Sequence, residues 1–101
     1  PDFAKKAARL IKNKKAHKGI LICKSGIGMS MAANRYKNIR AALCLNAKMV
    51  ESARQHNDAN MLVLGSVYTK ENLAKRMCDI FIKTKGFMLF TGLKEAVSDP
   101  I

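Results

Sequence analysis

The residues with most chemical content stand in one short run, Cys23-Lys24-Ser25-Gly26-Ile27-Gly28-Met29-Ser30. Glycines between an apolar run and a helix-forming run let several backbone N–H groups point into one concavity. Such a nest holds an oxyanion, and the N-terminus of a following helix adds its dipole. Gly-Ile-Gly alone matches neither a Walker A loop nor a full dinucleotide fingerprint, so a plain strand–helix turn is the competing reading. Cys23 ends the apolar run and faces the concavity. Beside N–H dipoles and Lys24 its thiolate would be favoured, which suits a base or a nucleophile. The alternative is an inert buried cysteine. Cys44 and Cys78 fall within a strand and a helix and read as packing residues.

His56 and Asn57 end a second candidate segment just before a turn. A histidine at a helix C-terminus is favoured by the dipole when charged, and it can also serve as an acid–base group near pH 7. His17 sits in a Lys-rich loop and reads as surface. Neither Cys-x-x-Cys nor His–Cys spacing occurs, so no metal site is expected.

The elements that must position these groups alternate between helix and strand. Asp2 is placed to cap a helix starting near Phe3, with Phe3, Ala7, Leu10 and Ile11 on its inner face and Lys5, Lys6, Arg9 and Lys12 in solvent. Gly19–Cys23 is apolar without alternation, the pattern of a strand covered on both faces. Lys24–Met29 reads as a loop and 30–36 as a helix. A second strand is expected over Ile39–Leu45, then a helix capped by Asn46 with Val50 and Ala53 inward. Met61–Leu64 makes a third buried strand ended by Gly65. Thr69 is placed to cap a helix with the stripe Leu73, Met77, Ile80 and Phe81. Phe87–Phe90 suits a short strand and Gly92–Val97 a helical turn.

Strands joined by helices imply parallel pairing with right-handed crossovers. The expected fold is a three-layer α/β/α sandwich with a parallel, Rossmann-like sheet, one domain over residues 1–101. Ligands in such sheets sit beyond the carboxyl ends of the strands, here 23–29, Leu45–Asn46 and Gly65–Thr69.

Composition narrows the classes further. The 101 residues are 49 % apolar, which suits one globular domain and argues against a disordered chain. No apolar run is long enough to span a membrane, and three unpatterned cysteines suggest a reducing cytoplasm. Nineteen Lys and Arg against seven acids give +12, which allows nucleic-acid or membrane-surface binding without specifying either. Six aromatics without Trp and without basic–aromatic alternation make no obvious stacking platform, so nucleic acid ranks last among the partners considered.

The stretches GILICKSGIGMSMAAN, NIRAALC and ARQHNDANMLVLGS, in that order, resemble the ribose-5-phosphate isomerase type B family, a group that includes the galactose-6-phosphate isomerase subunits. The resemblance covers about residues 1–83 and includes Pro1-Asp2-Phe3-Ala4. It implies an aldose–ketose isomerase of carbohydrate metabolism that interconverts ribose 5-phosphate and ribulose 5-phosphate, a step of the pentose phosphate pathway, through a cis-enediolate. On this chain Cys23 would move the proton between C1 and C2, and Ser25 would assist transfer between O1 and O2. The N–H groups of Gly26, Ile27, Gly28 and Met29 would stabilise the enediolate oxygen. His56 would open the sugar ring and Asn57 would hold a hydroxyl. In the family these two residues come from the partner subunit, so a homodimer with a shared active site is implied. The resemblance calls for a sugar phosphate as ligand and no metal or organic cofactor.

Four features depart from the family pattern. The family begins with a strand, an Asp-His loop and another strand, so this chain is expected to be a domain incomplete at its N-terminus. Lys24 stands at a usual glycine, where a positive φ would strain it. Val67 stands where a phosphate-contacting arginine is usual. Phe87-Met88-Leu89-Phe90-Thr91-Gly92 replaces an Arg-rich segment, with Lys85 and Lys94 as the candidate substitutes. A catalytically inactive remnant is therefore the alternative function, and a basic nucleic-acid-binding protein ranks below both.

Overall fold

The computed structural model describes residues 2–85. In chain order it comprises α1 (Asp2–Lys12), β1 (Gly19–Cys23), α2 (Ile27–Ala33), β2 (Ala41–Leu43), α3 (Ala47–Asn57), β3 (Met61–Gly65) and α4 (Glu71–Lys83). The expected elements at 87–90 and 92–97, and Lys94, lie outside the described residues.

All pairing is parallel, in the order β1-β3-β2. The last strand is therefore the central one. It is buried at all five positions, and its alternation divides the core in two. Met61 and Val63 join Ala4, Ala8 and Ile11 of α1 and Ala33 of α2. Leu62 and Leu64 join Val50 and Ala53 of α3 and Met77 and Phe81 of α4. These two clusters make the three layers expected of an α/β/α sandwich.

Most sequence-derived elements hold, and the differences have physical reasons. Helix α1 begins at Asp2 itself, and its buried line is Ala4, Ala8 and Ile11. Phe3 and Leu10 stay exposed, at 69 % and 48 %. Alanines let α1 lie close to the sheet, which turns the larger apolar residues outward. Strand β1 is not covered on both faces, for Ile22 is 58 % exposed. Strand β2 is shorter than expected because Asn46 already caps α3, its Oδ1 accepting the Met49 N–H at 2.8 Å. Cys44 lies just past β2 and is fully buried, as a packing residue should be. Thr69 does not cap α4. Lys70 occupies the cap position with no side-chain bond, and the buried Thr69 hydroxyl has no partner among the described residues. Leu73, Met77, Ile80 and Phe81 do face inward, Met77 and Phe81 completely.

Candidate functional site

The ends of β1 and β3 meet in register, Cys23 opposite Gly65. Their pairing continues past the strands: the Ser66 N–H donates to the Cys23 carbonyl at 2.7 Å, and the Val67 N–H donates to the Lys24 carbonyl at 3.0 Å. The two loops thus leave the sheet side by side. Gly26 then turns the chain with φ 81°, in the left-handed region that glycine adopts without penalty, and α2 starts at once at Ile27. A side chain at Gly26 would also strike Leu43. Lys24 does not have a positive φ, so the strain foreseen for a non-glycine there does not arise.

Gly65 has a different reason to be glycine. A Cβ there would overlap the carbonyl group of Ser25, so only a bare backbone lets the Cys23 loop close over the end of β3. Gly28 contrasts with both, because the space above it is open for 4 Å. Gly28 and Met29 sit inside α2 rather than in the loop, since the helix begins three residues before the sequence reading placed it. Their N–H groups belong to the first turn, where an α-helix supplies no acceptor of its own.

Within this frame the two candidate side chains fold back on the loop. The Gly26 N–H donates to Cys23 Sγ at 3.1 Å, and the Ile27 N–H donates to Ser25 Oγ at 3.2 Å. Both side chains are partly exposed. The Cys23 sulfur thus lies against a backbone N–H of its own loop, part-exposed at the strand end rather than packed in an apolar core. Cys44 shows the opposite environment: apolar burial pushes its thiol up to about 11.

His56 and Asn57 are exposed at the far end of the sheet. They close α3, which runs back to the start of β3, whereas Cys23 lies beside that strand's end. Five residues of strand, roughly 13 Å of rise, separate the two places within one chain. The fold brings together Cys23, Ser25 and residues 26–29, and does not bring His56 and Asn57 to them. A groove of about 490 Å³ runs along β2 and α3 between Asn46 and Asn57.

Sequence reasoning missed two residues that hold this arrangement. Asn34 ends α2, and its amide both donates to the Ala41 carbonyl and accepts the Ala41 N–H, at 3.0 and 2.8 Å. It fixes the far end of α2 to β2. Asn60 does the same under β3, accepting the Arg40 N–H and donating to the Asn38 carbonyl, both at 2.8 Å. An asparagine just before an apolar strand carries a weak turn signal and nothing that foretells a buried clamp.

Comparison with known proteins agrees with this architecture. The family model described as Ribose/Galactose Isomerase matches residues 1–88. The chain belongs to the ribose/galactose isomerase family. A ribose 5-phosphate isomerase of Thermotoga maritima superposes with a TM-score of 0.83 at 49 % identity, over 85 % of this chain and 59 % of the other. The type B ribose 5-phosphate isomerase of Trypanosoma cruzi gives 0.89 at 35 %, over 97 % and 65 %. Among sequences, a Rickettsia bellii protein named only provisionally as a sugar phosphate isomerase is 52 % identical over 85 residues, 84 % of this chain and 59 % of its own length. The chain thus spans about three fifths of the length of such relatives. No helix among the described residues is long and apolar enough to cross a membrane.

Within the ribose/galactose isomerase family frame, the short side chains of the loop acquire a common feature. Each accepts a hydrogen bond from a backbone N–H that follows it by two or three residues. The loop is therefore pre-shaped without help from distant side chains.

Proposed function

We propose that this chain carries the proton-transfer loop of an aldose–ketose isomerase that interconverts ribose 5-phosphate and ribulose 5-phosphate. The observation that carries the reading is the Gly26 N–H donated to Cys23 Sγ, in a loop whose glycines leave open space over Gly28. In the open-chain aldose, the Cys23 thiolate takes the proton from C2. The electron pair left behind forms the C1=C2 enediolate and puts negative charge on O1. Backbone N–H groups along 26–29 stabilise that oxyanion, those of Gly28 and Met29 foremost because those of Gly26 and Ile27 are donated to Sγ and Oγ; such a contact is worth about 3–4 kcal/mol per donor in other enzymes. Ser25 relays a proton between O1 and O2, and Cys23 returns its proton to C1. No electron leaves or enters, so the step needs no redox partner.

His56 and Asn57 complete the site from a second copy of the chain, because the fold keeps them away from Cys23 in their own copy. His56 opens the sugar ring and Asn57 holds a hydroxyl. The product is a homodimer with two shared sites, and its compartment is the cytoplasm. Val67 favours a second reading. An exposed aliphatic side chain at the carboxyl end of the central strand makes no charge-assisted bond to a phosphate, which is the contact an inactive relative would lack.

The test is turnover of ribose 5-phosphate by the protein carrying this chain and by its Cys23→Ser variant. The expected result is measurable isomerisation that falls at least 10³-fold in the variant, with an unchanged melting temperature. Equal turnover by both proteins would remove Cys23 as the base. A folded dimer with no turnover would favour the inactive relative.

A further inference from the structure

The positive charge of this protein is not spread evenly. Residues 1–40, which build α1, β1 and α2, hold eleven Lys or Arg and one acid, while the rest of the chain holds eight and six. A general bias toward lysine would load both halves alike. With Lys18, bound to the carbonyls of α4, and Arg40, paired with Asp58, set aside, the excess stays with this part of the chain, and a groove lies among its cations.

The groove has a volume of about 370 Å³ and lies between α1 and the loop from α2 to β2. Lys5, Arg9 and Lys12 form one wall, at spacings of four and three residues that put them on one side of the helix. Tyr36, Lys37 and Asn38 form the other, and no acidic residue lines it. The second wall is held in place. The Ile39 N–H donates to the Tyr36 carbonyl at 3.2 Å, Ile39 is buried, and the Asn60 amide grips the Asn38 carbonyl at 2.8 Å. Asp58 is paired with Arg40 and Arg54, and Glu71 with Lys75, so these acids are spent elsewhere.

We propose that this groove binds single-stranded nucleic acid, its cations tracking successive phosphates and Tyr36 stacking on a base. Along α1, Lys5 to Lys12 covers about 10 Å, a length over which more than one phosphate of an extended strand falls. The concave shape and the exposed ring favour a strand over a flat anionic membrane, which needs neither. The site is separate from the Cys23 loop and independent of the isomerase reading.

The experiment titrates the full chain into a fluorescein-labelled oligouridine 12-mer and reads anisotropy across salt concentrations. Four phosphate contacts predict a slope of log K against log salt of about −3, so affinity falls about 50-fold between 50 and 200 mM. The Lys5→Gln/Arg9→Gln double variant halves the slope. The Lys75→Gln/Arg76→Gln variant removes the same charge from α4 and leaves it unchanged. Tyr36→Leu weakens the single strand about tenfold and leaves a duplex of equal length unaffected. Three outcomes would each overturn the proposal: equal effects of the two charge variants, no dependence on Tyr36, or tighter binding to vesicles containing phosphatidylserine than to the oligomer.

Discussion

The two ends of the sheet are built by opposite means. At the end where the strands start, side chains do the holding. The buried Arg54 guanidinium donates to Asp58 at 3.0 Å and to the Ala59 and Thr84 carbonyls at 2.6 and 2.9 Å. Lys18 caps the last turn of α4 through the Phe81 and Ile82 carbonyls, at 3.1 and 2.9 Å, and both cations lie within 6 Å of the Phe81 ring centre. At the end where the strands finish, backbone holds backbone, through the Ser66 and Val67 N–H groups, and glycines allow the contact. The first end holds Lys18, Arg54 and Asp58 within the fold. The other leaves Cys23 and Ser25 bound only to their own loop, and so available to a ligand.

That contrast is broken most severely at Arg54. Arg54→Met removes the side-chain donor of the Ala59 carbonyl, leaves the Thr84 carbonyl only the 3.5 Å contact to Lys18, and leaves the Asp58 carboxylate only the 3.4 Å contact to Arg40. Removing one member of a buried pair costs about 3–5 kcal/mol, and urea unfolding should show a loss of that size with little change in the fold of the surviving native state. A loss below about 1 kcal/mol would mean that this end is not locked by side chains.

The two glycines of the other end test the same contrast from the opposite side. Gly65→Ala forces a methyl group into the Ser25 carbonyl, and overpacking of a backbone contact costs about 3 kcal/mol. The Cys23 loop must then move, so amide chemical shifts of residues 23–29 should change together. Gly28→Ala meets open space inside a helix and should stabilise by about 0.5–1 kcal/mol. It should nevertheless depress isomerase turnover, because the methyl group enters the space left for substrate. Similar losses of stability in both variants would show that the loop is packed throughout and holds no open site.

Much of this was legible in the sequence, for stated reasons. Unbroken apolar runs such as MLVL and GILIC mark strands whatever surrounds them, and Asn46 marks a helix start by its own side-chain chemistry. Gly26 was legible as a turn because only glycine takes φ near 80° freely. What escaped depends on contacts between distant segments. The choice of Ala4 and Ala8 over Phe3 and Leu10 is set by how closely α1 approaches the sheet, which periodicity alone does not reveal. The need for glycine at residue 65 comes from Ser25, forty residues away. Arg54 looked like one more solvated cation, and only the folding of Asp58, Ala59 and Thr84 around it shows otherwise. Cys23 is marked by its glycine neighbours and His56 and Asn57 by their place at a helix end, yet only the fold shows that these two groups stand at opposite ends of the sheet.

The finest form of the comparison is between two cysteines. Cys44 is 2 % exposed in an apolar cluster, and its thiol ionises only at about 11 rather than 9.0. In the unfolded chain it ionises at the ordinary value. Between those limits the unfolded state has lost a proton that the native state keeps, so stability falls as pH rises. The contribution is intact below pH 9, and roughly 2–3 kcal/mol is gone by pH 11. Lysines and tyrosines titrate in the same window, so the measurement is a difference. Denaturant unfolding of the native protein and of Cys44→Ala, taken from pH 8 to 11, should give curves that converge as pH rises, because alanine has no proton to lose. At pH 7 the two cysteines differ in packing alone: Cys44→Ala opens a cavity in the core, and Cys23→Ala, at a part-exposed position, costs less in the same denaturant measurement. A parallel course for Cys44→Ala, or a larger loss at pH 7 for Cys23→Ala than for Cys44→Ala, would reverse the assignment of the buried and the available thiol.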